Sequence, residues 1–125
     1  MLPWVASAEE LFIEELEIDE HWFAIISRMR RLTSLVIKRC PLNDDSAKYI
    51  AKLTALTNLD IRYCPITDAG FDQLHPLKKL AYVKLYGTMG TKEGAERLKQ
   101  IIKAELDFRL GAFLGVGCRQ PPAAC

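Results

Sequence analysis

Few residues of this chain carry side chains that do chemistry. Four cysteines and two histidines stand among 125 residues. Cys40 and Cys64 lie 24 positions apart with no histidine beside either. Two thiols alone make half of a tetrahedral zinc site. Cys118 and Cys125 fall in the tail and read as free thiols. His21 follows Asp19 and Glu20, and His75 precedes Pro76. Neither stands at a spacing that would supply a nucleophile, a base and an orienting acid together. Both read as surface residues. The run Gly87-Thr88-Met89-Gly90-Thr91-Lys92 has the glycines and lysine of a phosphate loop without the G-x-x-x-x-G-K-[ST] spacing. These residues point to no catalytic centre, no cofactor and no metal.

Composition narrows the class further. Lys plus Arg is 17 and Asp plus Glu is 16, a net charge of +1. A dedicated nucleic-acid binder would be markedly basic, so no nucleic acid is expected as partner. No apolar run reaches the length of a membrane span, so no membrane insertion is expected. The first ten residues lack the basic opening of a secretory signal, which makes a reducing cytoplasm the expected setting.

The elements that position these residues come from an internal repeat. Leu32, Leu35, Ile37, Cys40 and Leu42 recur as Leu56, Leu59, Ile61, Cys64 and Ile66, 24 positions later. The same spacing runs through Ala8, Leu11, Ile13, Leu16 and Ile18, and through Leu80, Val83, Leu85, Thr88 and Gly90. Ile26, Ile50 and Leu74 form a further column. Met29, Leu53 and Leu77 form another, continued by Ile101. The fourth and sixth positions with the residue between them alternate as a short strand does. A polar cap follows in the last three coils, Asn43-Asp44-Asp45-Ser46, Thr67-Asp68 and Thr91-Lys92-Glu93, and such residues start helices. Helices are expected over Glu20–Met29, Asp45–Leu53, Asp68–Leu74 and Lys92–Ile102. Ala104, Leu106, Phe108 and Leu110 alternate as a fifth strand, after a slip of about one residue. The fold class is therefore α/β. Coils stack a parallel sheet on one side and helices on the other, because no single coil can bury its own apolar face. Residues 1–7 are expected to cap the first coil, residues 8–110 to form the domain, and residues 111–125 to be a largely disordered tail.

The pattern L-x-x-L-x-L-x-x-C-x-L, whole at Leu32 to Leu42 and with isoleucine last at Leu56 to Ile66, resembles the leucine-rich repeat. Cys64 followed by Pro65-Ile66-Thr67-Asp68-Ala69-Gly70-Phe71-Asp72-Gln73-Leu74 is similar to its cysteine-containing, ribonuclease-inhibitor-like subclass. The resemblance implies a short curved solenoid of four 24-residue strand-turn-helix coils plus a closing strand, with helices on the convex side. It implies partner binding through the concave sheet and no catalysis. Residues 74–110 also resemble the end of the mitochondrial ATP synthase coupling factor B (subunit s) family. That likeness implies an alternative role, assembly or coupling of a membrane-bound respiratory complex. A tail out of register with all before it leaves another alternative, a freestanding gene product of mobile DNA with no settled partner.

Equal positions of neighbouring strands form ladders about 4.8 Å apart. On the outward face, the ladders run Phe12, Val36, Asp60, Lys84; Glu14, Lys38, Arg62, Tyr86; Glu15, Arg39, Tyr63, Gly87; and Glu10, Ser34, Asn58, Tyr82. Lys38, Arg39, Asp60, Arg62, Tyr63, Tyr82, Lys84 and Tyr86 are therefore the candidate partner-binding residues, suited to an acidic peptide or protein segment. The same ladders are also accounted for by solvated cross-strand pairs, with Glu14 and Glu15 on Lys38 and Arg39. The ends of a stack expose core and strand edge. Leu2, Pro3, Trp4 and Val5, with Trp22 and Phe23, are candidates to cover the first coil. Phe108, Leu110, Phe113 and Leu114 are unusually apolar for a last strand and tail, which points to self-association as a homodimer through that edge.

Overall fold

Each alternating segment is a strand and each capped segment a helix in the computed structural model, which describes residues 8–17 and 19–109. The order is β1 (Glu10–Glu14), α1 (Glu20–Ile26), β2 (Ser34–Lys38), α2 (Asp44–Ile50), β3 (Asn58–Arg62), α3 (Asp68–Asp72), β4 (Tyr82–Tyr86), α4 (Lys92–Ile102) and β5 (Glu105–Arg109). The expected cap of residues 1–7, the tail 111–125 and the self-association residues Leu110, Phe113 and Leu114 lie outside the described residues.

The strands form one parallel sheet in chain order, β1-β2-β3-β4-β5. Leu11 lies beside Leu35, Leu35 beside Leu59 and Leu59 beside Val83. The last pair is offset one residue less, with Val83 beside Leu106. Alternation sends Leu35, Ile37, Leu59, Ile61, Val83 and Leu85 into the core, where Phe23, Ala47, Ile50, Phe71, Ala95 and Leu98 of the helices meet them. Full burial of each large aliphatic or aromatic side chain contributes about 1.5–3 kcal/mol. No helix among the described residues is long and apolar enough to cross a membrane.

Three helices stop short of their expected ends. Helix α1 ends at Ile26 rather than Met29, α2 at Ile50 rather than Leu53, and α3 at Asp72 rather than Leu74. The apolar columns continue, but the backbone tightens. Met29 N–H donates to Ile26 O, Leu53 N–H to Ile50 O and Leu74 N–H to Phe71 O, three residues back instead of four. Helix α2 also starts one residue early, at Asp44, because Asn43 is its cap and accepts from Ser46 N at 2.9 Å. The last strand is described over Glu105–Arg109, starting one residue after Ala104, and Leu110 lies outside the described residues. Leu16 shares its column with Cys40 and Cys64, yet it is exposed while the cysteines are buried. The first coil has no described neighbour on its outer side. Trp22, expected to help cover that coil, is also exposed, whereas Phe23 is buried.

The helix starts are tied to one another. Asp44 accepts from Thr67 N at 2.8 Å and from Thr67 Oγ1 at 2.5 Å. Asp68 repeats this, accepting from Thr91 N at 2.7 Å and Thr91 Oγ1 at 2.6 Å. Thr67 and Thr91 in turn cap α3 and α4. So Asp44 and Asp68, each the first residue of its helix, hold the cap of the helix that follows. The arrangement needs space behind the carboxylate. A Cβ on Gly94 would run into Asp68, and a Cβ on Gly70 would run into Asp44 and Ile66.

Gly94→Ala should therefore lower stability by roughly 1–3 kcal/mol in thermal or urea unfolding, despite alanine's better helix propensity. In an Asp68→Ala background the clash is gone, so the same change should cost far less or become favourable. An equal cost in both backgrounds would show that the carboxylate is not what the glycine makes room for.

Candidate functional site

The sheet face turned away from the helices collects the polar and aromatic ladders. Parallel pairing places Glu14, Lys38, Arg62, Tyr86 and Arg109 in one row. A second row holds Phe12, Val36, Asp60, Lys84 and Asp107, and a third Glu10, Ser34, Asn58, Tyr82 and Glu105. Arg39 and Tyr63 follow β2 and β3 by one residue. All eight sequence-predicted residues thus fall on this face or at its rim.

They engage one another closely. Arg62 donates to Asp60 in parallel, Nε to Oδ1 at 2.8 Å and Nη2 to Oδ2 at 3.0 Å. This fork is the geometry a guanidinium prefers with a carboxylate. Asp60 is only 9% exposed, so the outward position does not make it a solvated charge. The bond to Asp60 holds the Arg62 guanidinium above its ordinary value. The Arg62 guanidinium also lies 4.6 Å from the centre of the Tyr86 ring, and Arg109 lies 5.0 Å from the same ring. Tyr86 Oη donates to Asp107 Oδ2 at 2.5 Å, and Arg109 Nε stands 3.5 Å from Asp107 Oδ1. The tyrosine hydroxyl bond, ahead of Arg109, holds Asp107 below the usual carboxylate range, and the same bond raises Tyr86.

Toward β1 the pattern repeats with different partners. Arg39 lies 4.7 Å over the Tyr63 ring and pairs with Glu14 at 3.0 Å and Glu15 at 3.8 Å. The expected cross-strand pairing of Glu14 and Glu15 therefore forms with Arg39. Lys38 instead sits 5.3 Å over the ring of Phe12. Lys84 makes no ion pair among the described residues. Tyr82 and Phe12 remain 60% and 58% exposed on the same face.

Asp107 and Arg109 also belong to this face, and the sequence pattern does not place them there. They stand between the apolar residues of the last strand, but the one-residue shortening before β5 breaks the 24-residue count. Reading that strand at an offset of 23 puts both on the ladders.

The strand ends share an unusual backbone. Glu15, Arg39, Tyr63 and Gly87 occupy one column, with φ of 56°, 53°, 57° and 63°. Only glycine adopts this left-handed conformation without a side-chain penalty, on the order of 1–2 kcal/mol per residue. A ladder bond holds each one there. Arg39 N–H donates to Arg62 O and Tyr63 N–H to Tyr86 O, both at 2.9 Å. Two of the four are thus a stacked cation and its aromatic partner, kept where glycine would relax the backbone. Strain of this kind collects where side chains are held for a purpose.

The remaining chemistry-bearing residues lie elsewhere. His21 and His75 are exposed, and His75 Nδ1 lies 2.9 Å from Asp72 O. Cys40 and Cys64 are buried free thiols beneath the turns, each donating to a carbonyl of its own strand end. Burial pushes Cys64 up to about 12 and raises Cys40. At the bends of the first two coils an open cleft is lined by Glu15, Glu17, Asp19, Glu20 and Asp45, with Arg39 the one base among them.

Two measurements follow from these environments. Tyr63→Gly should unfold at higher temperature than Tyr63→Ala, a difference of about 1 kcal/mol, because both lose the ring and only glycine relaxes φ. Equal stabilities would mean the backbone there carries no strain. For Cys64, the neutral form favoured by folding contributes stability in full below the thiol's ordinary value of 9.0. That contribution is lost as pH rises from there towards about 12. At about pH 8 the Cys64 peptide should resist iodoacetamide in the native chain and label readily in urea, as read by mass spectrometry. Compared with known families and curated proteins, the chain matches no family model and no curated protein.

Proposed function

We propose that the chain is a short leucine-rich-repeat solenoid that binds a protein partner through the sheet face turned away from its helices. The partner presents an extended segment bearing carboxylates. Pairing at an offset of 24 residues across β1 to β4 supports the solenoid reading, since equal positions of successive coils stand side by side. The role in this reading is non-catalytic: among the described residues, Glu14, Asp60 and Asp107 of the face are already engaged by Arg39, Arg62 and Tyr86.

One observation carries the choice of partner. Each arginine of the face already has a carboxylate within 4 Å, whereas among the described residues Lys38 and Lys84 have none. Arg39, Arg62 and Arg109 are frame, and the two lysines are the cations left for a guest. Tyr82 and Phe12 supply exposed apolar area beside them. Rings already packed under guanidinium groups lose little freedom on binding, so the contact is preorganised.

Charge reversal at the frame would be a poor test, since removing Arg62 leaves Asp60 largely buried and unpaired. Lys38→Gln with Lys84→Gln removes both cations without setting a new carboxylate beside Glu14, Asp60 or Asp107. Immobilised wild-type and double-variant chains should retain the same lysate proteins except for a set bearing Asp/Glu-rich segments. The variant should lose that set by on the order of tenfold, and wild-type retention of it should weaken with salt. Equal retention by both chains would place the binding surface elsewhere.

A further inference from the structure

Strand β5 is the end of the sheet, and its outer edge has no partner among the described residues. In a parallel ladder alternate residues direct both backbone groups to the same side. Glu105 N–H donates to Ala81 O and Arg109 O accepts from Gly87 N–H, so residues 105, 107 and 109 face β4. Leu106 and Phe108 therefore present their N–H and C=O groups outward. Their side chains are half-buried, whereas the equivalent Leu59, Ile61, Val83 and Leu85 are fully enclosed. The edge thus offers unpaired backbone and an uncovered strip of core together, a combination that invites another strand.

Charge along the edge says which strand fits. The outward side chains read Glu105, Asp107, Arg109, acidic to basic along five residues. Such a strand is complementary to its own reverse. We propose that two copies of this chain pair antiparallel through β5, about a twofold axis at Phe108. In that register Phe108 exchanges both backbone hydrogen bonds with Phe108 of the second copy. Asp107 of each copy then stands opposite Arg109 of the other. These two charge pairs fall on the non-hydrogen-bonded positions, where antiparallel strands bring side chains closest. A register centred on Asp107 would also set Glu105 opposite Arg109 twice, but it would oppose two carboxylates at its axis that Tyr86 and Arg109 help keep ionised. The twofold also sets the two Phe108 rings side by side, closing the uncovered strip. Each copy uses the same patch, so the contact is self-limiting at two. The result is one sheet continuous across both copies, independent of any partner held by Lys38 and Lys84.

A five-residue strand is a small contact, so the dimer belongs to the weak class and should be sought at a concentration on the order of 100 µM. Light scattering of the full chain should give a dimer mass there, falling to the monomer on dilution. Asp107→Arg places two arginines on the edge and Arg109→Asp two aspartates. Each variant alone should be monomeric, with unchanged circular dichroism. An equimolar mixture should regain the dimer mass, because the two arginines of one chain then face the two aspartates of the other. Wild-type dimer lost in each variant and restored by mixing establishes the pairing. A monomeric wild type overturns it, as would result if residues 110–125 of the same chain filled the edge. So does a dimer that either single variant preserves, or a mixture that stays monomeric while both variants remain folded.

Discussion

A strand of five residues has no stability of its own in water, and a helix of five to eleven residues is little better. What makes nine such pieces persist is the parallel ladder, which sets strands β1 to β4 side by side at an offset of 24 residues and β5 beside β4 at 23. That offset decides everything perpendicular to it. It brings Leu11, Leu35, Leu59 and Val83 into one row and aligns Thr33 and Thr57, whose carbonyls close the entry to β3 and β4. Thr33 O receives Thr57 N–H at 2.8 Å, and Thr57 O receives Ala81 N–H at the same distance. A slip of one residue would turn the inward side chains of the slipped strand outward.

The polar groups obey the same offset and divide the work. At the helix starts, Asp44 and Asp68 each fix the next helix's cap, and the glycines at 70 and 94 leave room for the carboxylates. At the strand ends, a column of left-handed residues bends the chain out of the sheet while continuing its hydrogen bonds. On the outward face, arginines are committed to carboxylates and rings of this same chain. Such groups contribute modest stability each, but together they hold the face in one arrangement.

Legibility in the sequence follows locality. The inner strand positions and the helix caps can be read because each rests on a residue type repeated at fixed spacing. Helix α4, with eleven residues and a threonine cap, runs as the spacing predicts. The shorter helices do not, because apolar spacing does not distinguish a true helical turn from the tighter bonds that end at Met29, Leu53 and Leu74. Among the face residues, membership is legible and bonding is not. Nothing in the ladder pattern says that Asp60 turns to Arg62 two residues along its own strand, or that Arg39 takes both glutamates and leaves Lys38 to Phe12. The left-handed backbone at Arg39 and Tyr63 is hidden for a similar reason, since only Gly87 in that column advertises it.

The links between helix starts have a direction. Each aspartate reaches forward to the threonine of the following coil, and Lys92, which follows Thr91 as Asp68 follows Thr67, offers no carboxylate to reach with. A duplication of any 24-residue stretch between Ala47 and Thr91 would reproduce every donor, acceptor and glycine at its junctions. An insertion whose length is not a multiple of 24 would take the caps out of register with the carboxylates that hold them. Growth by whole coils is therefore permitted inside the molecule, and its terminus is written in a single amino acid rather than in the size of the core.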